Sequence, residues 1–399
     1  MNLIKKAYCR VFQTALWIAL PVLPYREPEI LGSMRIIPET IRAQGHSHPI
    51  IITDKGIMSL GLVNPLIDTL NQAKMPYSLY DGTVANPTTA NVAEALKLYK
   101  TEKCDCIIGF GGGSSMDCAK AVGARYARPK KSLNQMKGIL KVRKKIPLLI
   151  AVPTTAGTGS ETTLAAVIVD SETRHKYAIN DFPLIPKYAV LDPETTLSLP
   201  KSITASTGMD ALTHAVEAYI GRSTTKQTRQ EALKAVKLIF ENLDTAYSDG
   251  SNIEARRNML TASYYAGCAF TKSYVGYVHA VAHSLGGEYN VPHGLANAIL
   301  LPHVLEAYGH TIDKKLHRLA IAANLATTET PDEEAAKAFI QAIKDMKVRY
   351  NIGDKIPEIR KEDIPKLAKY ADKEGNPLYP VPVLMDAGEL EAFYYEVME

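Results

Sequence analysis

The sequence predicts an α/β domain with a parallel, Rossmann-like sheet over residues 1–198, followed by an all-α domain over residues 199–399. Three observations carry this. The 399 residues exceed what one hydrophobic core usually holds. From about Pro49, short β-branched runs alternate with helical patterns, the rhythm of βαβ units around a parallel sheet. After about Leu197 the pattern changes to long segments with apolar residues three and four apart, and no convincing strand follows.

In chain order, Lys5, Lys6 and Arg10 precede an apolar stretch, Val11 to Leu23, that imitates a signal peptide. Gln13 and Thr14 interrupt it, no small-x-small cleavage site follows before Tyr25, and it is too short to span a bilayer. An ordinary buried helix and strand are expected there. Further strands are predicted at Pro49 to Thr53, Tyr77 to Tyr80, Cys104 to Phe110, Leu148 to Pro153, Ala165 to Asp170 and Tyr188 to Leu191. Arg128 to Lys145 carries eight basic residues and no acidic one. Without interleaved aromatics to stack bases, it reads as a solvated connection into the strand at Leu148. The domain boundary is expected near Leu197 to Ser202. Beyond it, Asp210 to Ile220 and Glu231 to Leu243 have helical spacing.

Composition excludes several classes. With 46% hydrophobic and 22% charged residues the chain has no collagenous, disordered or membrane signature. A net charge of +4 is too small over this length to argue for nucleic acid. Five cysteines are an odd number and lack paired spacing, which fits a reducing compartment. A cytoplasmic homodimer or higher homo-oligomer is expected, with neither nucleic acid nor membrane as partner.

Gly109-Phe110-Gly111-Gly112-Gly113-Ser114-Ser115-Met116-Asp117 follows an apolar strand and opens a helix. Glycines let the backbone approach a pyrophosphate, and the helix N-terminus offers free N–H donors. The spacing is not G-x-G-x-x-G, and a tight turn needing glycine only for φ > 0 is the other reading. A second loop, Pro153 to Glu161 (PTTAGTGSE), also follows a strand and clusters hydroxyls and glycines. Two such loops at the carboxyl ends of parallel strands mark where open α/β sheets bind nucleotides.

In the helical half, Asp210 and His214 are spaced i, i+4, which stacks them on one helical face. His279 and His283 repeat the spacing, and His293 lies between a proline and a glycine. The chain has ten histidines, and three of them fall between positions 279 and 293. Carboxylate with imidazoles suits Fe²⁺, Zn²⁺, Ni²⁺ or a similar ion, although spacing leaves open which histidine is not a ligand.

These motifs together resemble the iron-dependent, or group III, alcohol dehydrogenases. The likeness rests on TDKG at Thr53 to Gly56, Asn86-Pro87, GGGSSMD at Gly111 to Asp117, PTTAGTGSE, TGMDALTH at Thr207 to His214, and the run His279 to His303. It runs in order from about residue 30 onward. The resemblance implies that Asp210, His214, His279 and His293 hold the metal and that His283 lies beside nicotinamide and substrate as a proton relay. It implies NAD contacts at Asp54, Gly111, Gly112, Gly113, Ser114, Asp117, Thr154, Thr155, Thr158, Thr163, Lys176, Leu197 and His283. Ala165 stands where some members have an asparagine, and Phe270 retains an aromatic wall, so both are expected at the substrate. The segment around Gly375 to Pro380 lacks the cysteine-containing stretch of many relatives. Residues 1–198 are thus read as the dinucleotide-binding domain and 199–399 as the metal-binding and substrate domain.

The reaction this implies is hydride transfer between a small primary alcohol and NAD⁺, with the metal-bound alcohol acidified towards alkoxide. Two rival functions predict other features. A dehydroquinate-synthase-type lyase or cyclase predicts dense basic phosphate clamps and a Glu-His-His ligand set, and neither is seen. A non-catalytic metal-binding assembly protein has no need of an exchangeable nicotinamide site.

Overall fold

The computed structural model describes all 399 residues. Strands are β1 (Glu29–Leu31), β2 (Pro49–Asp54), β3 (Ser78–Thr83), β4 (Cys106–Gly111), β5 (Gly138–Ile139), β6 (Leu148–Pro153), β7 (Ala165–Val169), β8 (Lys176–Asn180) and β9 (Tyr188–Val190). Helices are α1 (Leu3–Ala19), α2 (Ile37–Ala43), α3 (Lys55–Ser59), α4 (Asn64–Gln72), α5 (Thr89–Thr101), α6 (Gly113–Ala127), α7 (Lys201–Ile220), α8 (Lys226–Ser248), α9 (Ile253–Ser273), α10 (Tyr277–Tyr289), α11 (His293–Tyr308), α12 (Asp313–Ala322), α13 (Asp332–Arg349), α14 (Ile364–Gly375) and α15 (Ala387–Val397). They form two compact units: Pro24–Ser198, and Met1–Leu23 with Leu199–Glu399.

In the α/β unit a six-stranded sheet runs β1-β9-β6-β4-β2-β3, with every pair parallel. Its central strands are buried on both faces, which is why they read as unbroken apolar runs. The two-residue period sorts the side chains. Ile50, Ile52, Ile107 and Leu149 enter one core, whereas Ile51, Ile108, Ile150 and Val152 enter the other. The chain leaves β2 towards β3 on one side and β4 towards β6 on the other, so the β2/β4 junction is the topological switch point.

Two expectations for this unit need correction. The predicted strand at Ala165 to Asp170 is β7, which pairs antiparallel with β8 in a separate three-stranded sheet, order β5-β8-β7. Its partner Lys-Tyr-Ala-Ile-Asn carries too much polarity to read as a buried strand, and β1 and β5 are too short to show a period. The basic connection is also less solvated than expected. Leu133, Met136 and Val142 are buried, and the Asp181 carboxylate accepts the Val142 and Arg143 N–H groups at 2.8 Å each.

In the helical unit α7 is buried almost throughout its last seventeen residues, packed by α8, α9 and α11. Residues 1–23, assigned above to the α/β domain, group with this unit instead. Nor are they a buried helix and strand: α1 buries only Cys9 and Gln13, and a 3₁₀ turn, Leu20–Val22, follows it. Amphipathic spacing identifies an apolar face but not the side on which that face lies.

Candidate metal centre and cofactor loops

Because α7 is buried, each polar side chain on it requires a partner. Three such residues, Asp210, His214 and Glu217, share a face through i+4 and i+7 spacing. The start of α11 is pressed against this helix. A Cβ on Gly294 would lie 2.4 Å from the Ser206 carbonyl oxygen, so only glycine permits the approach that brings in His293. On α10, His279 and His283 stand one turn apart.

The result is a four-residue cluster. One ligand atom each from Asp210, His214, His279 and His293 can be chosen so that all lie within 4.8 Å of one another. Asp210 Oδ1 is 3.5 Å from His293 Nε2 and 3.9 Å from both His279 Nε2 and His214 Nδ1. The first three residues are buried and His293 is half-buried. His279 Nε2 is buried without a hydrogen-bond partner in the protein. Burial, reinforced by the neighbouring histidines, pushes the His279 pKa well below its ordinary value, so the imidazole is neutral with its lone pair available. A buried lone pair facing a carboxylate and two more imidazoles is the donor set a divalent first-row ion takes.

A carboxylate missed in the sequence orients this donor. Glu217 accepts the N–H groups of Gly276 and Val278 at 2.8 Å each, and its Oε2 lies 2.6 Å from His279 Nδ1. It thereby satisfies first-turn donors of α10 and turns His279 Nε2 towards Asp210. Burial pushes the Glu217 carboxyl up to about 7, against the pull of these donors. The signal was available: an acidic residue seven positions after Asp210, inside an apolar run. Glu217→Gln replaces an acceptor with an amide that faces N–H donors. Metal affinity is expected to fall roughly 10- to 100-fold, measured by competitive chelator titration, and unchanged affinity would deny Glu217 this role.

His283 stands apart from the four. Its ring stacks on His293 with centroids 5.0 Å apart, and its Nδ1 lies 2.6 Å from Glu374 Oε1, which also accepts the Tyr379 hydroxyl at 2.7 Å. Burial would raise the Glu374 pKa, but His283 and these hydrogen bonds outweigh it and hold the carboxyl low. Neither Glu374 nor Tyr379 was anticipated. Phe270, on α9, stacks on His214 with centroids 4.2 Å apart. Asn297 also went unnoticed, and it donates to Asp210 Oδ1 at 2.7 Å.

In the α/β unit the two predicted loops adjoin. Gly111 has φ +146°, a conformation side chains rarely adopt, and its carbonyl accepts the Thr154 N–H at 3.1 Å. Gly112 stands at the N-cap of α6 with no side chain capping it, which leaves first-turn N–H donors at the carboxyl end of β4. A Cβ on Gly113 would touch Thr158, and one on Gly112 would lie 3.8 Å from Thr155. Asp54, across the switch point, receives the Ser115 hydroxyl at 3.2 Å and caps α3 through Ile57 N at 2.9 Å.

Other predicted contacts have internal duties. Asp117 accepts from Ser160 Oγ and Val167 N at 3.1 Å each, and Thr163 Oγ1 takes a 2.7 Å bond from Lys120, a residue not anticipated. Lys176 reaches Asn86 Oδ1 at 2.7 Å, and Ser114 Oγ accepts the Asn86 N–H at 3.3 Å. Leu197 is half-buried at the end of a 3₁₀ turn, and Ala165 is half-buried on β7.

Comparison with known proteins bears on both units. Residues 31–193 match the family described as Iron-containing alcohol dehydrogenase, and residues 204–396 match Fe-containing alcohol dehydrogenase family, C-terminal. The 1,3-propanediol dehydrogenase of Klebsiella pneumoniae is 37% identical over 349 residues, covering 86% of this chain and 90% of the relative. A crystal structure of 1,3-propanediol oxidoreductase superposes with a TM-score of 0.89 at 35% identity, over 93% of this chain and 98% of the other. The sulfoacetaldehyde reductase of Bifidobacterium kashiwanohense, solved with NAD⁺, gives 0.82 at 28% identity, over 93% and 97%. With ligand-type residues gathered in the helical unit and glycine loops at the switch point of the other, the chain belongs to the iron-containing alcohol dehydrogenase family.

Proposed function

We propose that this enzyme reversibly transfers hydride between a small primary alcohol and NAD⁺, with a divalent ion, Fe²⁺ first among candidates, held by Asp210, His214, His279 and His293. The observation that carries the reading is the buried, unpartnered His279 Nε2 facing Asp210 among further imidazoles. When bound, the ion supplies Lewis acidity to the alcohol oxygen and NAD⁺ supplies the hydride acceptor.

The chain's own groups do the rest. Glu217 holds the His279 Nδ1 proton, which leaves Nε2 as the donor. Glu374 holds the Nδ1 side of His283, so Nε2 is the position that takes up and releases the alcohol proton. Phe270 stacked on His214 supplies an apolar wall beside the ion. At the glycine loop, α6 presents its N-terminal donors to the pyrophosphate. Relatives are named for 1,3-propanediol, methanol and lactaldehyde. Ala165 offers no polar group to a second hydroxyl, which favours a plain alcohol over a diol here. Turnover across a panel of two- to six-carbon alcohols and diols with NAD⁺ tests this. Preference for the diols would reject the substrate reading, and no turnover of any member would reject the activity.

The cofactor preference is assigned to Asp54, whose charge at the end of β2 favours a ribose 2′-hydroxyl and repels a 2′-phosphate. Discrimination of roughly 10- to 100-fold for NAD over NADP is expected. Asp54→Ser keeps the α3 cap but loses the charge. The ratio of kcat/KM values for the two cofactors should therefore drop, and an unchanged ratio would leave Asp54 as a cap alone.

A further inference from the structure

The helix α1 lies inside out. Three of its polar side chains point into its own unit: Lys5 pairs with Asp372 at 2.6 Å, Arg10 donates to the Val381 and Pro382 carbonyls at 2.7 and 2.8 Å, and Gln13 donates to the Tyr379 carbonyl at 2.7 Å. Its apolar side faces outward. Ile4, Tyr8, Val11 and Ile18 are 84%, 59%, 69% and 66% exposed, and Val22, in the turn that follows, is 82% exposed. These residues recur three and four or seven apart, so they form one continuous stripe. A globular protein normally turns such a stripe towards its core. The residues also precede the segments that match the family, which begin at 31.

Against the expectation that no membrane is a partner, we propose that this face docks α1 onto an anionic lipid surface, lying in the plane of the membrane interface. The charge argues for that occupant. No acidic residue occurs before Glu27, whereas Lys6 is exposed on α1, and Arg222, Lys226 and Arg229 are exposed around the segment tied to it by the Trp17 indole, which donates to the Thr224 carbonyl at 3.1 Å. Three acids that meet this segment are engaged by it, Asp372 by Lys5, and Asp386 and Glu389 by the N-terminal amine. Trp17, 47% exposed, borders the apolar stripe and Tyr8 lies within it, as aromatic residues do at the headgroup level. No helix is long and apolar enough to cross a membrane, so the contact is peripheral. A second copy fits less well. Flanking positions Lys5, Ala7, Phe12 and Thr14 offer no acid–base complement, and pairing would bring like charges together.

Trp17 is the chain's single tryptophan, so its emission reports on this helix alone. Purified full-length protein is mixed with phosphatidylcholine vesicles, with and without phosphatidylglycerol, and then floated through a density step. Flotation and a blue shift with the anionic vesicles are expected, both reduced by high salt. The double variant V11D/I18D should float roughly tenfold less or worse while keeping its alcohol oxidation rate. Wild-type protein that stays in the aqueous fraction with both vesicles overturns the proposal. So does light scattering in which V11D/I18D halves the mass of the vesicle-free protein, since the face would then belong to a second copy.

Discussion

His279→Ala and His293→Ala are expected to lose bound metal and turnover together, whereas His283→Ala keeps the metal and turns over slowly. The difference follows from where the nitrogens point. His279 presents a buried, unpartnered Nε2 3.9 Å from Asp210 Oδ1, and His293 Nε2 is 3.5 Å from the same oxygen. His283 lies outside that cluster, with its Nδ1 engaged by Glu374. Removing a ligand removes the several kcal/mol of charge stabilisation an ion supplies, on the order of a thousandfold or more in rate. Removing a proton relay costs roughly 100- to 10,000-fold in kcat at constant metal content. Metal analysis beside steady-state kinetics decides it. A metal-free His283→Ala beside a loaded His279→Ala would reverse the assignment.

The second large effect is expected at Lys120, which no motif singled out. Its ammonium group is fully buried and donates to the Ser160 carbonyl at 2.6 Å, Ser160 Oγ at 3.0 Å, Thr163 Oγ1 at 2.7 Å and the Ala165 carbonyl at 2.9 Å. Burial pulls its pKa down to about 8, while Asp117 and Glu161 favour the charge. One residue of α6 thus ties the end of the hydroxyl loop to the start of β7. Lys120→Met keeps the packing volume but removes the buried donor that four acceptors share and leaves half-buried Asp117 without the cation 4.0 Å away. The α/β unit should lose about 3–5 kcal/mol, as when one partner of a buried ion pair is deleted. Urea unfolding followed by circular dichroism measures this. A midpoint equal to the wild type would mean that the four acceptors find other donors.

Both predictions separate what the residues announce from what only the fold reveals. Ile50 to Ile52 and Ile107 to Ile108 read as strands because a parallel sheet covered on both faces needs apolar side chains at every position. The β7–β8 pair escaped the same reasoning, since Ala165 to Val169 looks like any other buried run and nothing local sets its partner's direction. In the site, i, i+4 spacing is enough to put Asp210 with His214 and His279 with His283 on shared faces. It cannot choose among histidines, because the choice depends on which nitrogen another helix occupies, here Glu374 against His283. Glu217 and Lys120 carry no role in the sequence alone for a related reason. A lone charged residue in an apolar helix shows its purpose only when its partners arrive from sequence positions about 60 and 40 residues away.

The most direct test of the account is metal dependence itself. Protein stripped of divalent ions by chelation, then reconstituted anaerobically with Fe²⁺, is assayed for NADH formation from a simple primary alcohol. Stripped protein should be inactive, Fe²⁺ should restore turnover, and peroxide should then abolish it. Zinc and nickel should compete for the same site, because the ion is not selected by affinity. Full turnover by protein shown to hold no divalent ion would contradict the account.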